Sequence, residues 1–268
     1  MRVQSLTLVA ASAALLAPTT LPGAPPPPDR RAQPQASAHA GAHSHPRVRP
    51  SAGPGPGASP VRAGGGAVGA AELLAKVRDC APVSKGHYRS DAGTPADIPV
   101  CGTSDAVFWQ ADLDVDCDGQ AGAHCNSRTD PAFSAATAFT GSDGRPLNAE
   151  TLPYIVVPAP SDRWDHRADG VRGGSVAAVV HEDRVRYAVV GDIGPRDIIG
   201  EGSYALAEEL GIRPDPRAGG VPSGVTYLVF KDSRVEPIED RQAAREAGER
   251  LARQFVDTAP DPAPSTAS

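Results

Sequence analysis

Two carboxylates near each other in the chain have the residue types and spacing that hydrolysis of a glycosidic bond needs. Asp192 follows the apolar run 187–190 and precedes a Gly-Pro turn, and Glu201 stands just before a segment of helical character. The turn can bring both to one cleft, where one carboxyl protonates the leaving oxygen and the other activates water or attacks the sugar. Both positions are also ordinary capping positions, so the pair alone is not specific. Asp197, between them, is the less suited participant.

A second group of carboxylates, Asp112, Asp114 and Asp116, alternates with other residues. From Asp114 the run imitates the start of a helix-loop-helix calcium loop, but the twelfth position, which needs Glu, is Cys125. On a strand the three side chains share one face, where they repel each other unless a metal, an arginine or a ligand's ammonium groups neutralise them. Because the calcium pattern fails, we predict no metal site. A solvated acidic turn is the structural alternative.

Short apolar runs separated by Gly, Pro and Asp predict a mainly β domain that positions these carboxylates. A hairpin turn is expected at 181–184, and a short helix at 203–210 that ends at Gly211 in the left-handed conformation. A first helix is expected at 70–77. The predicted strands are 107–109, 154–157, 176–180, 185–190 and 225–230.

Composition divides the chain into four parts. Residues 1–38 are expected to contain a signal peptide, because their apolar run is too short to span a bilayer, and the start of a disordered segment. Residues 39–66, rich in Pro, Gly, Ala and His, are expected to form a disordered linker. The β-rich catalytic domain is expected at 67–235. Residues 236–268 form a C-terminal helix and a disordered tail, and the narrow apolar stripe of that helix predicts weak packing.

Four cysteines lie within 46 residues, which in an exported protein indicates two disulfides. Three pairings are possible. Cys117 and Cys125 can close a short loop, which leaves Cys80 to bond with Cys101, and this pairing is favoured. The spacing lacks the CxxC typical of a zinc site.

The charge distribution bears on the partners that the chain can bind. The net charge is −6, and residues 101–201 hold 16 acidic against 8 basic residues. This region repels nucleic acid and anionic lipid and attracts a polycation, so neither nucleic acid nor membrane is an expected partner.

Five segments in order resemble the fungal and actinobacterial endo-chitosanases of glycoside hydrolase family 75: ADLDVDCDG, LPYIVVP, YAVVGDIGP, IIGEGS and VTYLVF, between about residues 107 and 230. The resemblance implies an inverting, endo-acting hydrolase of β-1,4-glucosamine polymers, with Asp192 and Glu201 as its essential carboxylates. The acidic row Asp112, Asp114 and Asp116 belongs to the same family pattern and would bind the ammonium groups of chitosan. We assign Glu201 as general acid and Asp192 as general base.

The sequence around Asp192 and Glu201 also resembles strand-loop sequences of double-psi β-barrel hydrolases. This resemblance predicts a single, mainly β domain that forms a six-stranded barrel with a few short helices. The expected protein is a secreted monomer without a cofactor. Two other functions stay open: a peptidoglycan-cleaving barrel enzyme and a non-catalytic carbohydrate-binding protein. Trp164 is the candidate for stacking on a sugar, whereas Trp109, in an apolar run, is expected in the core.

Overall fold

The computed structural model describes residues 67–258, so the predicted signal peptide, linker and tail lie outside the described residues. Within that range no helix combines the length and the apolar composition that a membrane crossing requires. Residues 67–258 form three α-helices, α1 (Ala70–Lys76), α2 (Tyr204–Leu210) and α3 (Arg241–Asp257), and a 3-10 helix, His166–Asp169. The strands are β1 (Cys101–Gly102), β2 (Ala106–Asp116), β3 (Tyr154–Pro158), β4 (Val176–His181), β5 (Arg184–Gly194), β6 (Glu201–Ser203) and β7 (Val221–Phe230).

Six strands close into a barrel in the order β2-β6-β3-β5-β4-β7, because β7 also pairs with β2. The pairs β2–β6 and β3–β5 are parallel, and β3–β6, β5–β4, β4–β7 and β7–β2 are antiparallel. The two-residue β1 pairs with the first part of β2, and β6 pairs with its last part. The predicted six-stranded, mainly β barrel with short helices is confirmed.

The core has two apolar layers, because alternate residues of each strand point to opposite faces of the sheet. Trp109, Leu113 and Tyr227 belong to one layer, together with buried residues of α2. Phe108, Tyr154 and their neighbours belong to the other layer, which α1 and α3 cover. Gln110 of β2, which alternates to the same side as Phe108, is exposed, so this second layer lies on the outer face of the barrel. Trp109 is 1% exposed and stacks on Tyr227 at 5.3 Å, so its predicted core position is confirmed.

The expectation that the C-terminal helix packs weakly is wrong. Ala244, Gly248 and Ala252 of α3 are buried against the barrel, and Phe255 meets Phe230 edge to face at 6.1 Å. A Cβ atom on Gly248 would come within 2.3 Å of Tyr187, so the helix approaches β5 closely. A narrow apolar stripe predicts weak packing, but Gly248 and Ala252, which lie beside the stripe, let the helix come close to the barrel.

Two disulfides are formed in the pairing favoured from the sequence. Cys80 bonds with Cys101 across 5.1 Å between Cα atoms and ties the segment after α1 to β1. Cys117 bonds with Cys125 across 4.9 Å and closes the loop that follows β2. All four cysteines are therefore paired within the described residues. Both bonds anchor segments that border the carboxylates described next.

Helix α2 forms as the sequence predicts. The Ser203 hydroxyl accepts a hydrogen bond from the amide of Leu206 and caps the first turn, and Gly211 ends the helix with φ of +73°. Because Ser203 is also the last residue of β6, the cap fixes the point at which the chain leaves the sheet. Glu201 is thereby held at the start of a three-residue strand between β2 and β3.

Candidate active site

The candidate catalytic carboxylates lie on one wall of the barrel, formed by β2, β6, β3 and β5 in that order. Asp114 of β2 is opposite Glu201 of β6, and Val156 of β3 is opposite Asp192 of β5. Val156 belongs to the outer apolar layer, which places Asp192 on the outer face as well. The structure thus brings Asp192 and Glu201 to the same surface, with β3 between them. We call this surface the acidic wall.

A glycine allows Glu201 to reach across β3 toward β5. A Cβ atom on Gly194 would lie 2.7 Å from Glu201 Oε2 and 3.0 Å from a methyl group of Val156. The Glu201 carboxyl therefore lies over Val156 and against the backbone of the strand that carries Asp192. A side chain at position 194 would push Glu201 away from this place.

Asp192 and Glu201 are carried by strands that are not neighbours in the sheet. Neighbouring strands are about 4.8 Å apart, so the backbones of β5 and β6, separated by β3, are about 9.6 Å apart. Inverting glycosidases hold their two carboxyls roughly 6.5–9.5 Å apart so that water fits beside the sugar, whereas retaining enzymes hold them at roughly 5–5.5 Å. Because Glu201 reaches across β3, its carboxyl lies nearer to β5 than the backbone of β6 does.

Glu201 has the electrostatic surroundings of a proton donor. Burial, as the largest cause, and the negative charges of Asp114, Asp192 and Asp118 together raise its pKa to about 7. These causes all disfavour the ionised form. A carboxyl that keeps its proton near neutral pH can deliver it to a leaving oxygen.

Asp192 has different surroundings, because two backbone amides stabilise its charge. The side chain is 7% exposed, and its Oδ1 accepts hydrogen bonds from the amides of Ala138 at 2.6 Å and Ile193 at 2.7 Å. Burial raises the pKa of Asp192, and the two amides act in the opposite direction. The hydrogen bonds also fix the carboxyl on the acidic wall. Because Ala138 belongs to the loop between β2 and β3, that loop covers the end of the acidic wall at Asp192.

The row Asp112, Asp114 and Asp116 lies on β2, as period-two spacing requires, but the three side chains have different neighbours. Asp116 accepts a hydrogen bond from the amide of Asp118 at 2.7 Å, and burial raises its pKa, with Asp118, Asp192 and Glu201 adding to the effect. Asp112 is 4% exposed, and burial raises its pKa to about 7, with Asp114 as the next cause. Asp116 therefore lies at the end of the row near Asp192 and Glu201, and Asp112 lies at the other end.

Asp91 was not singled out in the sequence, yet its carboxylate lies beside those of Asp112 and Asp114. One oxygen from each of the three falls within 4.8 Å of the others. Asp91 lies in a turn in which Thr94 Oγ1 accepts a hydrogen bond from its amide at 3.1 Å, and nothing in that local pattern distinguishes it from an ordinary turn residue. Only the folded chain brings it to β2, so no sequence signal could have found it.

Trp164 does not have the exposure that the predicted sugar-stacking role needs. It is 4% exposed, packs edge to face on Trp109 at 6.2 Å, and donates a hydrogen bond from Nε1 to Asp169 at 2.8 Å. Its ring therefore lies in the core, just before the 3-10 helix His166–Asp169. Asp197 forms an ion pair with Arg89 at 3.4 Å.

Glycoside hydrolysis commonly uses a pair of carboxyl groups, and Glu201 and Asp192 are two such groups on the outer wall of the barrel. Residues 113–257, more than half of the chain, match the family described as fungal chitosanase of glycosyl hydrolase group 75. The chain belongs to that family. The match includes α3, which the resemblance noted in the sequence had left out, and it begins after Asp112 and Asp91.

Several curated proteins are similar to this chain. An endo-chitosanase of Aspergillus oryzae is 30% identical over 140 residues, which cover 47% of this chain and 56% of the relative. An endo-chitosanase of Aspergillus fumigatus is 28% identical over 169 residues, covering 58% and 71%. Endo-chitosanase B of Aspergillus oryzae is 32% identical over 142 residues, covering 48% and 59%. The chain thus spans little more than half the length of the Aspergillus oryzae relatives.

Proposed function

We propose that this protein is a secreted endo-chitosanase that hydrolyses β-1,4-linked glucosamine polymers with inversion at the anomeric carbon. The observation that carries the proposal is the placement of Glu201 and Asp192 on either side of β3, on one face. The family match and the names of the Aspergillus relatives support the substrate. The two disulfides support an oxidising compartment outside the cytosol. We expect a monomer.

The proposed reaction is a single displacement. Glu201, protonated, donates its proton to the glycosidic oxygen as the bond from that oxygen to the anomeric carbon breaks. Asp192, ionised, takes a proton from a water molecule whose oxygen attacks the same carbon from the opposite side. One water molecule is consumed, and the two carboxyls exchange protonation states, which solvent then restores. No cofactor takes part in this scheme.

The acidic wall suits a polycationic polymer better than the other substrates considered. The charges that act on Glu201 come from Asp114, Asp192 and Asp118, all of which attract ammonium groups. We propose that Asp112, Asp114 and Asp116 bind these groups, each exposed ion pair contributing about 0.2–1 kcal/mol. Peptidoglycan, partly anionic, gains nothing from this surface. With Trp164 buried, the aromatic platform of a non-catalytic carbohydrate-binding protein is missing at that position.

The stereochemistry of the product tests the proposed mechanism directly. Inversion at a β-linkage gives the α-anomer at the new reducing end, and mutarotation then converts part of it to the β-anomer. We expect proton NMR of a glucosamine hexamer with high enzyme concentration to show the α-signal first. A β-signal that appears first would mean retention and a covalent intermediate, and would require the two carboxyls to lie closer together than proposed.

The pH dependence of the rate should reflect the two carboxyls. Glu201 must be protonated and its pKa is about 7, so kcat should fall as the pH rises through 7. Asp192 must be ionised and its pKa is raised, so kcat should fall on the acid side at a pH above that of an ordinary aspartate.

A variant of Asp114 separates the titration of Glu201 from that of the substrate amines. Asp114→Asn removes the neighbouring charge that most raises the pKa of Glu201, so the alkaline limb of kcat should move to lower pH. The exposed Asp162→Asn serves as the matched control and should leave the profile unchanged. An alkaline limb at the same pH in both variants would remove Glu201 as the titrating group.

A further inference from the structure

One amide of the loop between β2 and β3 supports the carboxyl that we propose as the general base. The amide of Ala138 donates to Asp192 Oδ1 at 2.6 Å, and a second bond to that oxygen comes from Ile193, in the same strand as Asp192. Ala138 belongs to residues 137–145, which we call the anchored loop. Most of these residues are exposed and none belongs to a helix or strand, so other contacts must hold Ala138 over Asp192.

Hydrogen bonds within the anchored loop and at its end join its parts. The Thr137 hydroxyl accepts a hydrogen bond from the amide of Leu147 at 2.9 Å and donates to the carbonyl of Phe139 at 2.6 Å. The amide of Gly141 donates to the carbonyl of Arg145 at 2.9 Å. Because these bonds limit how far one part of the loop can shift relative to another, a contact at its tip also restrains its first residues.

Two contacts fix the anchored loop to the rest of the protein. The Phe139 ring packs against the inner apolar layer and lies so close to Gly173 that a Cβ atom there would come within 2.4 Å of it. At the tip, the amide of Ser142 donates to both carboxylate oxygens of Glu239, at 3.0 and 3.1 Å, and the Ser142 hydroxyl donates to Oε1 of the same carboxylate. Hydrogen bonds to an ionised acceptor are roughly twice as strong as bonds between neutral groups. Glu239 is therefore the anchor of the tip.

Glu239 belongs to a segment that is itself fixed at both ends. It precedes Asp240, whose side chain accepts a hydrogen bond from the amide of Ala243 at 2.9 Å and caps α3. At the other end of the segment, the amide of Val235 donates to the carbonyl of Gly174 at 2.8 Å, and this bond joins the segment to the turn that the aromatic ring of the anchored loop contacts. The packing of α3 on the barrel therefore determines where the tip of the loop is held.

We propose that Glu239 is a positioning residue for Asp192: it holds Ser142, and through the anchored loop it keeps the Ala138 amide on the carboxyl. The inference rests on the proposed function, because that function makes Asp192 the base. Glu239 lies in the segment between β7 and α3, outside the acidic wall, and acts on the reaction through the loop. Helix α3 thereby has a part in the reaction, since the cap at its start fixes Glu239.

The hydrogen bond from Ala138 favours the ionised form of Asp192, which is the form that a base needs. If the anchored loop shifts, the pKa of Asp192 rises and the acid limb of kcat moves to higher pH. The other titratable groups that face Asp192 all stay in place when Glu239 is changed: Asp116, Asp118, Tyr154 and Glu201. A shift of the acid limb alone therefore reports the position of the Ala138 amide.

Replacement of Glu239 tests the anchor. In Glu239→Ala we expect the acid limb of kcat on chitosan to move up by about one pH unit, the alkaline limb to stay, and Tm to change little because Glu239 is exposed. Glu239→Gln keeps an oxygen that can accept from Ser142 and should remove most of the shift. Glu236→Ala, which changes an exposed glutamate of the same segment that pairs with Arg234, is the matched control and should behave as the unaltered protein. The same acid limb in Glu239→Ala and Glu236→Ala would overturn the inference.

Gly173→Ala tests the second contact of the anchored loop by a different chemical change. Its methyl group should displace the Phe139 ring and move the acid limb in the same direction as Glu239→Ala does. A lower Tm with both limbs of the pH profile unmoved would mean a merely structural role and would contradict a part for the loop in positioning Asp192.

Hydrogen exchange of the Ala138 amide, followed by NMR on the full chain without substrate, separates a failure of this inference from a failure of the proposed function. We expect exchange about tenfold faster in Glu239→Ala than in the unaltered protein, because a weaker anchor lets the bond to Asp192 open more often. Glu236→Ala should leave the rate unchanged. Faster exchange in Glu239→Ala supports the anchor even if chitosan is not cleaved. Equal exchange in the two variants would overturn the inference even if chitosan is cleaved.

Discussion

Glu201→Gln is expected to lower kcat on chitosan by about 10²–10⁴-fold, the usual contribution of a general acid. Glutamine has nearly the same shape and can occupy the place over Val156 and against Gly194, but it has no proton of suitable acidity to give. Because burial and three acidic neighbours disfavour the charged form of Glu201, the neutral amide should not destabilise the fold. The kinetic loss should therefore occur at an unchanged or higher Tm.

A substrate with a better leaving group tests whether the fall in kcat of Glu201→Gln comes from the loss of a general acid. An aryl glycoside of a chitosan oligomer with an acidic phenol as leaving group needs little protonation, so Glu201→Gln should cleave it at a rate close to that of the unaltered protein. Gly194→Ala is a useful companion variant, because its methyl group would displace Glu201 without removing it. Near-normal turnover of chitosan itself by Glu201→Gln would require another residue as the acid.

Asp192→Asn should lower kcat about as much as Glu201→Gln does. Unlike Glu201→Gln, it should not recover when the substrate has a better leaving group. The variant loses the base that takes a proton from water, so kcat should fall by about 10²–10⁴-fold for chitosan and for the activated aryl glycoside alike. The amide oxygen of asparagine can still accept hydrogen bonds from the amides of Ala138 and Ile193, so the loop over the wall should stay in place. Melting curves of the variant check this point.

Azide provides the positive readout for Asp192. The anion needs no base, can occupy the place of the water, and would displace the leaving group to give the α-glycosyl azide of inverted configuration. Asp197→Asn, which only breaks the ion pair with Arg89, is the control and should lose little activity. If azide restores the rate of Asp192→Asn with a β-glycosyl azide as product, Asp192 is not the base of an inverting reaction.

The strand that leads to Asp192 was predictable because its apolar residues are strongly patterned, whereas the three-residue β6, which carries Glu201, was not among the predicted strands. The apolar run that ends at Asp192 and the Ser203-to-Gly211 helix each follow from nearest-neighbour rules. The full lengths of β2 and β7 did not follow from such rules, which predicted only the short apolar runs 107–109 and 225–230. Pairing between them, and between β2 and β6, extends β2 through its aspartates to Asp116.

What the sequence could not supply depends on contacts between distant segments. Trp164 was favoured as an exposed subsite because its neighbours in sequence are polar, yet the fold places it against Trp109. The narrow apolar stripe of α3 predicts weak packing, because a sequence pattern does not show that a small residue such as Gly248 allows close packing on β5. Asp91 joins Asp112 only through the turn that is bonded to Asp197 and Ile199, so its contribution to the wall is a property of the tertiary structure.

Release of reducing ends from chitosan, chitin and peptidoglycan, measured side by side with the same preparation, tests the central claim most directly. We expect rapid release from chitosan, with a fast fall in viscosity because internal bonds are cut. Release from chitin and peptidoglycan should stay at the level of the Glu201→Gln variant. Release from peptidoglycan or chitin at a rate equal to or above that from chitosan would contradict it.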